Sequence, residues 1–170
     1  MILSPGYTPE ALRDLHDRAH HSLIGLLRHC GGLDAAALNR EIHGFGYPTI
    51  RQQFHHEIGA EEYWVGVIRG DFHVDDDDAA YPDIAALEGF RARVYASTDA
   101  YLRTVTPEAL NAARPMRTWT GKEPLLVPAR VIVRTATHLY QHQGQIAAMC
   151  RILGAPIPEG LDFPLVSEVG

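Results

Sequence analysis

Two histidines, His138 and His142, stand four residues apart inside one long helical pattern that opens at Pro128 and stops at Gly154 and Pro156. At that spacing they lie one turn apart on the same helix face. The face is the apolar one: Val131, Thr135, His138, His142, Gln145, Met149 and Ile152 follow alternating steps of four and three, as an inward seam does. A buried imidazole needs partners for its ring nitrogens, because an unsatisfied polar group in an apolar setting is costly. One partner that satisfies two such rings together is a metal ion.

Three further helical patterns precede this one. The first runs from Thr8 to Cys30, with Thr8 as N-cap, Pro9 in the first turn and Gly31-Gly32 as the stop. Leu12, Leu15, Ala19, Leu23, Leu26 and Leu27 form its apolar face. A long loop follows, with a helical turn near Ala35 to Asn39. The second helix runs from Pro48-Thr49 to Arg69. The third runs from Pro82-Asp83 to Thr104, with Pro107 past its end. Arg114 to Thr120 and Glu123 to Val127 flank Gly121-Lys122 and mark a small hairpin between helices three and four. The tail from Pro158 to Gly170 has no periodicity and is expected along the surface. No repeat or composition break divides residues 1–170, so the expectation is one all-α domain, a four-helix bundle. The long connections after helices one and three allow a topology other than simple up-and-down.

Composition excludes several classes. A net charge of −6 gives no basic surface for nucleic acid or an anionic membrane. No apolar stretch approaches the ~20 residues of a membrane span. Met1 to Gly6 has neither the basic start nor the apolar core of a secretory signal, which points to the cytoplasm. Cys30 and Cys150 fall in helical apolar patterns and read as reduced core residues. The ten histidines are the compositional anomaly.

Two imidazoles rarely hold a catalytic metal alone; three protein ligands and an open position are usual for zinc. Helix two offers His55 and His56. His56 shares a face with Ala60 and Tyr63, small and apolar neighbours that look inward. His55, 100° further round, falls near Gln52, Gly59 and Glu62 and is expected to be more exposed. His56 is therefore the third candidate.

The stretch His56-Glu57-Ile58-Gly59-Ala60-Glu61-Glu62-Tyr63-Trp64 resembles the helix-two signature of the DinB/YfiT-like superfamily: a histidine followed at fixed spacing by Ala-Glu and an aromatic. His138 to Ile146, continued by Leu153-Gly154, resembles its helix-four signature, H-x3-H-x-G-Q-I with a Leu-Gly helix end. The resemblance spans most of the chain. It implies a four-helix bundle holding one divalent transition metal (Zn, Ni or Fe) through His56, His138 and His142. It also implies, from some members, a thiol S-transferase or isomerase that uses a low-molecular-weight thiol.

Such a site with an open coordination position acidifies a thiol or water. The leading expectation is a metal-dependent thiol transferase or hydrolase acting on a small-molecule thiol or electrophile. The alternative is a metal-binding bundle without catalysis. Gln145, one turn past His142, is placed to contact a ligand or a histidine ring. Glu57 and Glu61 read by default as solvated helix carboxylates. His16 and His20 repeat the i,i+4 spacing but match no family motif, and read as half-exposed histidines bonded to neighbours. Asp75 to Asp78 lack the spaced ligands of a calcium loop and read as solvated, with Asp83 capping helix three. Tyr63, Trp64, Trp119 and Tyr140 read as core aromatics, and Arg114, Arg117 and Lys122 as a surface basic group. Broad apolar helix faces favour a homodimer.

Overall fold

Each long helix starts where a short polar side chain or a proline frees it from the preceding loop. The computed structural model describes residues 6–158 and 161–165. Helix α1, Pro9–Cys30, is capped by Thr8, whose hydroxyl accepts from the Ala11 amide. The turn α2 is Ala35–Leu38, capped by Asp34. Helix α3, Ile50–Arg69, is capped by Thr49 and ends at Gly70, whose φ of 82° is the left-handed C-cap that glycine adopts without strain. Helix α4, Ile84–Thr104, is capped by Asp83. Helix α6, Pro128–Ile152, begins with its proline in the first turn. Thr106 caps an additional helix, α5, Pro107–Asn111. The proline expected only to mark the end of α4 thus opens α5.

Helix α1 packs on α4 and α6, and α3 packs on the same two. The result is a four-helix ring with α1 diagonal to α3. Side-chain pairs give the directions. Arg13 meets Asp99 and His20 meets Arg91, so α1 and α4 are antiparallel. Gln53 meets His142 while His56 meets His138, so α3 and α6 are antiparallel. Ser22 meets Gln143 and Cys30 meets Cys150, so α1 and α6 are parallel. The bundle therefore runs up-down-down-up. The step that makes α3 and α4 parallel is the segment 70–83, which doubles back along α3. Gly66 permits that return, since a Cβ there would lie 2.5 Å from the Phe72 Cα. Arg51 then ties the far end down, reaching the Asp78 and Tyr81 carbonyls.

The hairpin is present: β1, Arg114–Pro115, pairs antiparallel with β2, Leu125–Leu126, and Gly121 turns the chain at φ 77°. Two apolar clusters fill the bundle. One is centred on Leu23, Leu27, Phe54, Ile58, Phe90 and Ile146, the other on Leu12, Val65, Ile68, Leu102, Leu110 and Ile132. Cys30 and Cys150 are free thiols in the first cluster, their sulfurs 3.7 Å apart. The α6 seam holds through Met149, but Ile152 is 59% exposed because the helix has passed the end of its partners. The described part of the tail lies on α1 and α6, with Ser22 donating to the Leu161 carbonyl and Arg18 to that of Pro164. The rest of that tail, and Met1 to Pro5, fall outside the described residues. Among the described residues no helix is long and apolar enough to cross a membrane.

Candidate metal centre

Because α3 and α6 run antiparallel, His56 on one helix meets both members of the i,i+4 pair on the other. Ring centroids are 5.2 Å apart for His56 and His138, 4.7 Å for His56 and His142, and 4.5 Å for His138 and His142. One ring nitrogen from each falls within 4.8 Å of the others. The Nε2 atoms of His56 and His138 are 3.2 Å apart. Two imidazoles on one tetrahedral ion, at metal–nitrogen distances of about 2.0–2.1 Å, bring their nitrogens to about 3.3 Å from each other. The spacing fits a metal.

The protons fit it too. Gln53, one turn before His56 and fully buried, donates its amide Nε2 to the Tyr47 carbonyl at 2.8 Å and to Gln145 Oε1 at 3.0 Å. Its Oε1 is thereby the atom that faces His142 Nδ1, at 2.6 Å. An amide oxygen only accepts, so the network assigns the proton to Nδ1 and leaves the His142 Nε2 lone pair free. That is the outer hydrogen bond expected of a metal-ligating histidine. Burial and the neighbouring imidazoles push His56 down to about 4. Burial and His138 do the same to His142, also to about 4. Burial and Arg134 lower His138. Each shift favours the neutral ring that ligation requires. Gln145, expected to face a ligand or ring, reaches the imidazoles at one remove through Gln53. Replacing Gln53 with leucine should weaken metal binding about 10–100-fold, read by chelator competition. Unchanged affinity would show that the Gln53 bond does not orient His142.

The expected exposure of the two α3 histidines is inverted. His55 is buried and His56 half-buried, because segment 70–83 folds over the outer face of α3. His55 packs against Tyr81 and Phe90, with its Nε2 3.6 Å from Asp75. Asp75 in turn accepts from the Tyr81 hydroxyl, and Asp78 pairs with Arg51. This acidic loop is tied down, not simply solvated. His56 instead stacks on Tyr47, with centroids 3.9 Å apart, and faces a cavity of about 790 Å³. Tyr63 and Trp64 pack against the second apolar cluster and also line that cavity, whereas Trp119, expected in the core, lines it at 71% exposure. Tyr140 lines a smaller one. The Trp119 amide donates to the Tyr63 hydroxyl, which moors the hairpin at the rim.

Neither Glu57 nor Glu61 is solvated. Glu57 is buried with both oxygens unpartnered, and burial holds its carboxyl well above the usual range. Glu61 accepts from His16 at 2.8 Å, from His20 at 2.9 Å and from Thr98 at 2.6 Å. His16 and His20 are 4% and 2% exposed, so they are buried and not half-exposed as expected; α3 and α4 cover that face of α1. Burial lowers His20 in spite of Glu61. Burial alone would raise the Glu61 carboxyl, but its two imidazole partners outweigh that and hold it well below the usual range.

His16, His20 and Glu61 also have donors close enough to hold an ion. Proton bookkeeping separates this group from the other. Arg91 approaches His20 Nδ1 at 3.2 Å, and a guanidinium only donates. Nδ1 is therefore the acceptor, and the Nε2 that faces Glu61 carries a proton where a metal would need a lone pair. None of the three lines the cavity beside His56.

A family model for the DinB superfamily matches residues 16–146, more than three quarters of the chain. The chain belongs to the DinB superfamily. No curated protein matches it. The matched span contains both histidine groups and ends at Ile146, the last residue of the helix-four motif. Two residues beside the histidines carry no signal in the sequence alone: Gln53, three residues before His56, and Arg134, four before His138. Both lie at spacings that place them on the ligand faces. The basic residues singled out instead, Arg114, Arg117 and Lys122, do not line the cavity; Arg114 donates to the Ile68 carbonyl.

Proposed function

We propose that this DinB-superfamily protein binds one divalent transition metal through His56, His138 and His142 and uses it as a thiol S-transferase or hydrolase. The observation that carries the reading is the convergence of three imidazoles, two of which, His56 and His138, line a cavity of about 790 Å³, a size typical of small-molecule sites. A bound metal with an open position supplies Lewis acidity, which makes a thiolate or hydroxide available at neutral pH. The chain's own residues do the rest. Gln53 holds His142 in the ligating tautomer. Tyr47 covers one face of His56. Tyr63, Trp64 and Trp119 offer an aromatic wall for the electrophile. In thiol transfer the S–H proton goes to solvent, sulfur bonds to the electrophilic carbon, and the leaving group departs with its electron pair.

The test is metal analysis of untagged protein, followed by turnover of monochlorobimane with a panel of thiols. The expected result is bound metal near one per chain and chloride release that depends on both metal and thiol. Tight metal binding with no turnover of any thiol or hydrolysable substrate would make the protein a non-catalytic metal bundle. Absence of metal binding would overturn the site itself.

A further inference from the structure

The cavity beside the three histidines is electrically lopsided. At one end, near Tyr47 and His55, its rim carries Asp75, Asp76 and Asp78. At the other end the charged residue is Arg134. On α3, Trp64 lies eight residues beyond His56, about 12 Å along the axis. Arg134 sits over Trp64, its guanidinium carbon 4.6 Å from the ring centroid. The stacking holds the planar cation in place while leaving its N–H edge free.

Arg134 is the arginine among the residues lining this cavity, and it has no carboxylate partner there. Arg13, Arg51, Arg91 and Arg103 each pair with a carboxylate. Among the described residues no ion pair or side-chain hydrogen bond engages the Arg134 guanidinium; its contact is the tryptophan face. It is four residues before His138, one turn away, or about 6 Å of helix rise. A cation that is oriented, unpaired and one turn from the candidate ligands has the geometry of a recognition group. Its planar fork matches a carboxylate. The aspartates at the opposite end repel an anion from there, so one orientation is favoured and the reverse is disfavoured.

We propose that Arg134 is the specificity residue of this cavity and takes the carboxylate of a small thiol whose sulfur lies at the three-histidine end. The proposal rests on the metal-site reading above and adds the substrate class: short anionic thiols, with two or three carbons between sulfur and carboxylate, in preference to neutral ones. The ligand must reach from the histidines to a guanidinium held over Trp64, about 12 Å along α3 from His56, and the metal–sulfur bond and the carboxylate–guanidinium contact cover part of that span.

The experiment compares 3-mercaptopropionate with 3-mercaptopropionamide, which share a thiol and differ in charge. Each is titrated into cobalt-loaded wild-type protein, Arg134→Gln and Arg134→Lys, with the thiolate-to-cobalt charge-transfer band as readout. Wild type should bind the carboxylate about tenfold more tightly than the amide, as expected for one bidentate charged contact, and salt should narrow the gap. Arg134→Gln should abolish the preference by weakening the carboxylate alone, with the amide unchanged. Arg134→Lys, which keeps the charge and loses the fork, should fall between them. Arg134 is exposed, so neither variant should disturb folding. A preference that persists in Arg134→Gln overturns the proposal. Uptake of cobalt with no band for either thiol overturns it too, while leaving the metal site standing. Failure to take up cobalt overturns both.

Discussion

Replacing His142 with alanine should weaken metal binding by about 100-fold or more. Loss of an outer hydrogen-bond partner alone weakens such sites about 10–100-fold, and here a ligand itself is removed. Three observations make His142 the most sensitive of the three. It is the most buried, at 5% exposure, so no solvent-side ligand readily replaces it. Its tautomer is set by Gln53. Its removal leaves His56 and His138, whose Nε2 atoms lie 3.2 Å apart and can satisfy each other by sharing a proton. The remaining pair then has a metal-free resting state of its own. Stability follows affinity: metal at 100 times its Kd adds about 2.7 kcal/mol, and a 100-fold weaker site at the same concentration adds about 0.4 kcal/mol. Metal content after dialysis and the metal-induced shift in Tm measure both. A His142→Ala protein that retains its full metal would exclude His142 as a ligand.

The bundle was legible because its boundaries are written in local chemistry. Thr8, Thr49 and Asp83 cap helices where expected, and Gly70 and Gly154 end them with φ of 82° and 79°. Helix α5 was missed because Pro107 both stops one helix and starts another, and only the Thr106 hydroxyl on the Ala109 amide reveals which. The α6 pair was legible because its seam is local. The exposure of His55 and His56 was not, because it is decided by a loop that returns over α3 after Gly66. That return requires the chain to pass within contact of α3, which no pattern of apolar residues announces. Nor did the i,i+4 spacing of His16 and His20 show their burial; their partner Glu61 comes from the diagonal helix. Arg134 and Gln53 carried the right spacing all along, but a polar residue on a ligand face becomes informative only when its other contacts are known.

Replacing Glu61 with alanine should destabilise the fold by about 3–5 kcal/mol, the usual consequence of removing one partner from a buried charged network. The change strands the His16 and His20 N–H groups and the Thr98 hydroxyl at once, all of them buried. It also removes the carboxylate that the Arg91–His20 contact ends on. Set against a typical total of about 5–15 kcal/mol, this is a large fraction of stability. The pH dependence has a definite sign. The Glu61 carboxyl lies well below 4.5 in the folded protein and near 4.5 when unfolded, so the unfolded chain binds more protons as acid is added. Its contribution is therefore complete above about pH 4.5 and is lost as pH falls from there through the folded value. Urea unfolding at pH 7 and pH 4 measures both effects: the gap between wild type and Glu61→Ala should narrow in acid. A difference below about 1 kcal/mol at pH 7 would mean that the cluster is relaxed or hydrated. The same variant discriminates between the two histidine groups. Glu61 is five residues from His56 on α3, about 140° around the helix, and points to α1 and α4, not to α6. Folded Glu61→Ala should bind metal with wild-type affinity. If it folds and loses the ion, the metal belongs to His16, His20 and Glu61, and the lone pair of His20 lies on the side of the ring where Arg91 now argues for a proton.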